Sequence, residues 1–456
     1  MPEPPFGYGG TTGSRVSLRP AASFLNSALL HELWGNIDKT SPIGSRALQA
    51  AATMTRTATD EITTARRWSM LTVSQLATLC ANVFINGVAF LVPALSNHGE
   101  SLVEAALLAS MPSVGMMFTL IPWGFILDRA GERLALSLGL ALTAAAGWAA
   151  SMMHSAIAMG TFLILGGMSA ASCIPASGRL VTGWFAEHQR SLVMGIRQTA
   201  QPLGIAVAAL AIPELAKHNL SLALLFPACL CAVAAVVSVV GVKDPPRPGR
   251  PDIKMGELAD LYRGTSLWRI HFASALLMLP QPVVLTFMLI WFTGKHGLPM
   301  AWAGLLIGVS QMLGAVTRIA AGRWADRVSS RMGPLRKIAV VTATVMMALA
   351  LTDQLGWGIA VGAMVIAAAI TGDNGLPFTT IPEIAGPFWS GWALGKQNTF
   401  ERLIVAVAPP AFAEVIVAAG YPLAFAVCGL FPLAAMPLIP LGDKPERARN
   451  QPSPVG

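Results

Sequence analysis

Long apolar runs recur from Trp68 to Leu441, and they constrain the fold of this chain more than any other feature of the sequence. A helix needs about 20 apolar residues to cross the hydrocarbon core of a bilayer. Repeated runs of that length, separated by short polar breaks, predict an all-α integral membrane protein with twelve transmembrane helices. The predicted spans are 68–91, 102–127, 134–153, 156–183, 191–215, 220–242, 270–292, 301–322, 338–352, 357–381, 395–419 and 422–441.

The composition excludes several other classes of protein. Only 12% of the residues are charged and 54% are hydrophobic, whereas soluble domains carry about 25% charged residues. The net charge of +8 is spread over short loops, without the concentrated basic face that nucleic-acid binding requires. The cysteines and histidines show no metal-ligand spacing, and we find no phosphate-binding loop. We therefore expect no enzyme activity, no metal, no cofactor and no nucleic-acid partner.

The polar stretches divide the chain into five parts. Residues 1–67 are rich in Gly, Pro, Ser and Thr and predict a largely disordered N-terminal extension; alternatively, translation begins at Met54. Six spans follow in 68–242, a charged central loop in 243–268, six more spans in 269–442 and a short tail in 443–456. Lys and Arg concentrate in the loops on one side of the predicted membrane, and basic loops stay in the cytoplasm. Both termini are therefore predicted to be cytoplasmic.

The two halves of the chain repeat one another. The segment GFILDRAGER at 124–133 recurs as GRWADRVSSR 198 residues later. Met194, Gly195 and Thr199 recur as Leu394, Gly395 and Thr399 at an offset of 200. Repeats in one register predict two pseudo-symmetric six-helix bundles in parallel arrangement.

A twelve-span chain whose second connection reads G-x-x-x-D-R-x-G-x-R resembles the major facilitator superfamily. The motif is degenerate in the second half, where Ser329 replaces the second glycine. The resemblance implies a gating latch on the cytoplasmic side of the molecule, formed by Asp128, Arg129 and Arg133 with Asp326 and Arg327 as a weaker set. A carboxylate at a helix end can pair with nearby guanidinium groups. The alternative is that the arginines only set the topology.

Residues 184–204 and 372–403 resemble bacterial permeases akin to the cyanate and organic-anion carriers. This branch implies a multi-pass protein of the bacterial inner membrane. Position 201–205 reads QPLGI, where drug exporters usually carry a Gly-Pro-x-x-Gly-Gly signature, and the first span has no acidic residue. Uptake is therefore favoured over export.

Polar side chains within the predicted spans are the candidate solute ligands, because each costs free energy unless it is paired or faces a cavity. The amides at the predicted mid-depth can either line a central cavity or join helices by hydrogen bonds. Arg179 and Arg197 can attract an anion or clamp neighbouring helices. The full set of candidate solute-binding residues is Asn82, Asn86, Arg179, Arg197, Gln201, Gln281, Gln311 and Asn374.

Two acidic residues are candidates for proton coupling. Asp373 follows a long apolar run in the tenth span, and Glu401 lies in the eleventh. A carboxyl group removed from water can hold a proton through a transport cycle; alternatively, Asp373 is paired with Lys396 or Arg402.

These observations predict a secondary transporter that moves a small polar or anionic solute by alternating access, with protons as a candidate coupling ion. We expect a monomer whose other partner is the lipid bilayer. A drug exporter of the same fold and a non-transporting sensor or scaffold are the alternatives.

Overall fold

The structure is a computed structural model that describes residues 63–97, 99–185, 187–245, 262–328, 332–352, 357–371 and 375–440. The predicted N-terminal extension lies almost entirely outside these ranges, as do most of the central loop and the C-terminal tail. Within them the regular secondary structure is entirely helical. The residues from Thr63 onward form one compact unit.

The first half contains six spans. The first joins α1 and α2 through a 3₁₀ turn at Val88–Leu91, the fourth consists of α5 and α6, and the fifth of α7 and α8. The helices are α1 (Thr64–Gly87), α2 (Val92–Asn97), α3 (Leu102–Ala130), α4 (Glu132–Ser151), α5 (Ala156–Ala170), α6 (Cys173–Trp184), α7 (Glu187–Gln198), α8 (Ala200–His218) and α9 (Leu220–Gly241).

The second half begins with an interrupted seventh span. Its two helices meet at Leu279, beside Pro280 and Pro282. The sequence predicts a bend there because proline cannot continue the backbone hydrogen bonding. The span ends in a π turn at Trp291–Lys295. The helices are α10 (Thr265–Met278), α11 (Pro280–Ile290), α12 (Met300–Val328), α13 (Met332–Thr352), α14 (Trp357–Thr371) and α15 (Gly375–Ala435).

The last helix contains more than one membrane crossing. At 61 residues, a straight α15 would be about 90 Å long, three times the hydrocarbon thickness. The rings of Phe412 and Phe431 are nevertheless 6.2 Å apart, so the chain folds back between them. Gly420 lies there with a φ of 81°, a conformation that favours glycine. The eleventh span therefore precedes Gly420 and the twelfth follows it.

The predicted twelve-span, all-helical fold is confirmed. Ten helices or helix pairs of the described residues are long and apolar enough to cross a bilayer, and Trp392–Ala435, counted once among them, holds the eleventh and twelfth spans. The shorter apolar helix α14 belongs to the tenth span. Several helices run past the predicted limits, as α12 does by continuing to Val328.

The polarity of the molecule matches a lipid environment. Large aliphatic side chains face outward, with Ile157 84% and Val240 82% exposed. Polar side chains such as Ser74, His271 and Gln397 are completely buried. Soluble monomers rarely expose apolar surface on this scale, so the chain is a multi-pass membrane protein.

The fifth and eighth spans join the two halves of the molecule. A methyl group added at Gly304 would lie 2.6 Å from the carbonyl oxygen of Ala209, so the backbones approach closely there. Near the opposite, predicted cytoplasmic end, Arg318 Nη1 donates a hydrogen bond to the carbonyl oxygen of Gln198 at 3.4 Å. The second span also packs against α15. A small residue at the close approach is typical of helix packing in membranes.

Candidate functional site

A cavity lies between the two halves, about midway along the spans. The space between its lining atoms is about 450 Å³, a figure that includes open solvent, so the closed part of the cavity is much smaller. The first, second and fifth spans form one side of it, and the seventh and eleventh form the other. Its lining residues are Ile85, Asn86, Ala89, Ala109, Ser113, Gln201, Met278, Gln281, Pro282, Leu285, Thr286, Arg402, Val405 and Pro409.

Three of the amides singled out in the sequence lie in this lining. Asn86 and Gln201 come from the first half and Gln281 from the second. Asn86 Nδ2 donates to the Asn82 carbonyl oxygen at 3.1 Å, and the buried Oε1 of Gln281 has no hydrogen-bond partner in the described part of the chain. Oriented amides with unused hydrogen-bonding capacity suit a polar ligand.

Two of the other candidate amides, Asn82 and Gln311, lie outside the lining. Asn82 Nδ2 donates back to the Thr78 carbonyl oxygen at 2.8 Å within its own helix. Gln311 is buried, and its Nε2 lies 3.4 Å from Ser310 Oγ. Asn82 is half-buried, and neither side chain lines the cavity.

Arg402 places a positive charge in the cavity wall. It lies ten residues after Trp392, where the apolar part of the eleventh span begins, and so is about 15 Å along the helix axis, near the middle of the membrane. The residue is 8% exposed, and its Nε has no hydrogen-bond partner among the described residues. The described ion pairs do not include it.

Glu401 directly precedes Arg402 in the sequence, but its side chain faces the seventh span. Its Oε1 accepts hydrogen bonds from Gln397 Nε2 at 2.9 Å and from Ser274 Oγ at 3.2 Å. The side chain is 2% exposed. Adjacent residues on a helix point in different directions, which is why the two charged groups do not form a direct pair.

A chain of hydrogen bonds continues from Glu401 toward the predicted cytoplasmic end of the seventh span. Gln397 Oε1 lies 2.7 Å from His271 Nδ1, and His271 Nε2 lies 3.1 Å from the hydroxyl of Tyr262. A carboxamide oxygen only accepts hydrogen bonds, so Nδ1 donates and Nε2 accepts from Tyr262. Burial raises the pKa of Tyr262 to about 12, and its hydroxyl therefore stays protonated.

An aromatic cage closes the same end of the eleventh span. Lys396 Nζ lies 4.1 Å from the ring centroid of Tyr262 and 4.4 Å from those of Trp268 and Trp392. Two of these cation–π contacts, those with Tyr262 and Trp268, hold the end of the central loop against the eleventh span, since Trp392 lies on the same helix as Lys396.

Comparison with known proteins identifies the family. The family model described as "Major Facilitator Superfamily" matches residues 75–409. The chain belongs to the major facilitator superfamily. The resemblance inferred from the loop motif is confirmed.

Three known proteins are similar to this chain to different extents. An uncharacterised MFS-type transporter of Mycobacterium tuberculosis is 53% identical over 392 residues, or 84% of this chain and 88% of that protein. A D-galactonate transporter of Escherichia coli is 32% identical over 91 residues, covering 19% of this chain and 20% of its own length. The crystal structure of a D-xylose–proton symporter superposes with a TM-score of 0.68 at 16% identity, covering 83% and 98% of the two chains. Members of this superfamily are generally transporters rather than enzymes, and the chain is an MFS transporter.

Arg179 and Arg197, two of the predicted solute-binding residues of this MFS chain, already have partners. Arg179 Nε forms an ion pair with Glu132 Oε1 at 3.1 Å. Arg197 Nη1 donates to Ser177 Oγ at 3.3 Å, and its Nε lies 3.1 Å from Met194 Sδ. Both join neighbouring helices, and neither lines the cavity.

The superfamily motif surrounds a one-residue connection between the second and third spans. Gly131 has a φ of 96°, which explains a glycine at this position of the motif. The backbone N–H of Arg133 donates to Asp244 Oδ1 at 2.8 Å. Arg129 and Arg327 are exposed.

Four of the predicted site residues lie outside the described part of the structure. They are Asp373 and Asn374, together with the side chains of Asp128 and Asp326. The gating latch and the role of Asp373 therefore stay predictions.

The sequence analysis missed two groups of the site. Arg402 was considered only as a partner for a nearby acid, although an arginine in an apolar span is itself a signal of function. His271 and Gln397 were not singled out, although His271 also interrupts an apolar run. Their meeting with Glu401 depends on how the seventh and eleventh spans pack, and a single sequence does not specify that packing.

Proposed function

We propose that the protein is a secondary active transporter that moves a small polar or anionic solute by alternating access. The observation that carries the proposal is the cavity at mid-depth, because both halves contribute polar side chains to it. A site between two repeats is the arrangement on which alternating access depends. We further propose uptake across the plasma membrane, with both termini in the cytoplasm.

Rocking of the halves would open the cavity to one side at a time. The close approach of Gly304 to Ala209 and the hydrogen bond from Arg318 to Gln198 lie toward opposite ends of the same helix pair. Each contact opposes opening at its own end. In this proposal the motif residues Asp128, Arg129 and Arg133, with Asp326 and Arg327, add a latch at the cytoplasmic end.

Glu401 is the proposed site of proton coupling. It is buried beside Arg402 and hydrogen-bonded to the neutral side chains of Ser274 and Gln397. If the carboxyl group is ionised, it offsets the charge of Arg402 and weakens the attraction for an anion; if it is protonated, Arg402 acts unopposed. Solute and proton would then enter the site together. Asp373 remains the alternative acid.

Counterflow in proteoliposomes tests the transport function. The purified full chain is reconstituted, loaded with unlabelled D-galactonate or D-xylose, and exposed to the labelled compound outside. We expect labelled solute to accumulate transiently, faster than in protein-free liposomes. Substitution Gln281→Leu should slow this exchange about 5- to 30-fold, since one polar contact is worth about 1–2 kcal/mol.

The controls separate the alternatives. Lys217→Gln, at an exposed site on the opposite side of the molecule from the motif, should exchange like the wild type. When a pH gradient is imposed on the proteoliposomes, an exporter would accumulate solute with the gradient in the opposite direction from that which drives an uptake transporter. A scaffold would show no exchange for any member of an expanded panel of sugars and organic acids, which would contradict the proposal.

A further inference from the structure

The buried guanidinium of Arg402 forms no direct ion pair in the described part of the chain, because the neighbouring acid, Glu401, faces the seventh span. None of the described residues forms an ion pair with it, and its Nε is buried without a hydrogen-bond partner. A buried charge is strongly unfavourable unless it is paired and hydrogen-bonded. The guanidinium also lines a cavity, so an incoming ligand is able to supply the missing partner.

The other charged groups near the cavity are committed elsewhere. Glu401 points away and accepts from Ser274 and Gln397, while Arg318 donates to the Gln198 carbonyl oxygen. Arg179 and Arg197 are held by Glu132 and Ser177. The described cavity lining therefore presents a single positive charge, which matches one negative charge on the ligand.

The remaining polar groups of the lining are neutral. Asn86, Gln201, Gln281, Ser113 and Thr286 offer both donors and acceptors. Such groups bind hydroxyls better than they bind a second ionised group. None of the five is on the helix that carries Arg402. Asn86, Ser113 and Gln201 lie across the cavity on the first, second and fifth spans, and the other two lie on the neighbouring seventh span.

We propose that the cavity binds small hydroxylated monocarboxylate anions, with Arg402 holding the carboxylate and the neutral side chains holding the hydroxyl groups. This proposal rests on the proposed function and names its substrate class. Arginine suits the role because its planar fork matches a carboxylate in two parallel hydrogen bonds. Binding of an anion would also explain why an arginine lies at mid-membrane, where an unpaired positive charge has a high free energy.

Paired ligands test the proposal. Binding of lactate, glycerate, gluconate and D-galactonate to the purified full chain is measured by calorimetry and by thermal shift. Each acid is matched with the polyol in which a hydroxymethyl group replaces the carboxylate: propanediol, glycerol, sorbitol and galactitol. Tartrate serves as the doubly charged counterpart. We expect at least one monocarboxylate to bind, and to bind more tightly than its polyol and than tartrate.

Variants of Arg402 show whether that preference depends on the guanidinium. Arg402→Gln should weaken acid binding by about 30-fold or more and reduce the preference for acid over polyol. Arg402→Lys keeps the charge but loses the fork, so it should retain part of the preference. Lys217→Gln makes the same change of charge at an exposed site and should bind like the wild type. If Arg402→Gln does not fold, the acid-to-polyol ratio of Arg402→Lys serves instead.

Several outcomes would overturn the proposal. Equal binding of acids and polyols by the wild type would contradict it. Undiminished acid binding by Arg402→Gln would also contradict it. Binding of no acid to folded wild-type protein would also contradict it. Counterflow of the compounds that bind separates this failure from that of the proposed function: binding without exchange would contradict transport alone, and exchange of polyols alone would contradict only the anion site.

Discussion

The fifth and eleventh spans occupy equivalent places in the two halves, yet they carry different chemistry. The repeat offset of 200 pairs Gln201 with Glu401 and Arg197 with Gln397. In the fifth span the cavity receives a neutral amide, and the arginine is turned to Ser177. In the eleventh, a carboxyl group and an arginine lie at mid-depth, and the carboxyl group is linked through Gln397 to His271. Duplication supplies a symmetric scaffold, and the charged machinery is concentrated in one half of it.

Removing the acid of the eleventh span should have the largest effect on transport. With Glu401→Gln, we expect an imposed pH gradient to cause no accumulation, whereas one proton per anion gives about tenfold accumulation per pH unit in the wild type. Counterflow, which needs no net proton movement, should persist. The readout is labelled D-galactonate, or the acid that binds best, in proteoliposomes.

A substitution at Gln201, the equivalent position in the fifth span, provides the matched control for Glu401→Gln. Gln201→Leu should slow counterflow but leave the pH dependence intact. Binding to the wild type should weaken as pH rises, because an ionised Glu401 opposes the anion. Arg402 and Arg318 are the other charged groups that act on this carboxyl, and His271 is linked to it only through Gln397. A pH dependence that survives in Glu401→Gln would assign coupling to another acid, with Asp373 the first to examine.

Two glycines should respond differently to the same added bulk. A methyl group at Gly204 would lie 2.7 Å from the Leu79 carbonyl oxygen, inside the first half, whereas one at Gly304 would press on Ala209, between the halves. Gly204→Ala should lower the free energy of unfolding by about 1–3 kcal/mol. Gly304→Ala should instead shift the population toward the state open at that end.

Thermal unfolding in detergent measures the first effect, and modification of a cysteine placed beside Gly304 measures the second. Equal losses of stability, with no change in cysteine accessibility, would contradict a moving interface between the fifth and eighth spans.

His271→Phe tests the hydrogen bonds around Glu401. A phenyl ring can retain the stacking of the imidazole against Phe400, whose ring centroid is 5.9 Å away. It leaves Gln397 Oε1 and the Tyr262 hydroxyl without their partner, at a cost of about 1–3 kcal/mol. The readout is the midpoint of thermal unfolding, and His271→Asn, which keeps one donor, should lose less. An unchanged midpoint would mean that the chain of hydrogen bonds contributes nothing to the fold.

The smallest effect is expected at the far ends of the two spans. Glu214 and Lys217 form an exposed ion pair at 2.7 Å, while the equivalent Glu414 is exposed in the second half. Exposed pairs of this spacing contribute about 0.5 kcal/mol or less. Lys217→Ala should therefore leave stability and exchange almost unchanged in the assays described above.

The fold was predictable because it depends on patterns within the chain. Run length, loop charge and the repeated motif gave the twelve spans and the superfamily without any tertiary contact. Helix limits were less accurate, since helices such as α12 continue past the apolar run into the polar zone of the membrane. The hairpin at Gly420 followed from two separate apolar runs.

Residues of the site were predictable only where their position along a single span was enough to identify them. Asn86, Gln201 and Gln281 were singled out because polar groups at mid-span need a cavity or a partner. Arg402 and His271 required knowledge of which helix faces meet. The sequence does not show that Glu401 turns toward Ser274 while its neighbour turns toward the cavity.

The aromatic cage around Lys396 gives the linker between the halves a mechanical role. Tyr262 and Trp268, at the end of that linker, grip the same helix that carries Glu401 and Arg402. Tension on the linker would therefore act on the helix that carries both residues. A molecule bound to the linker would be able to move that helix without entering the cavity.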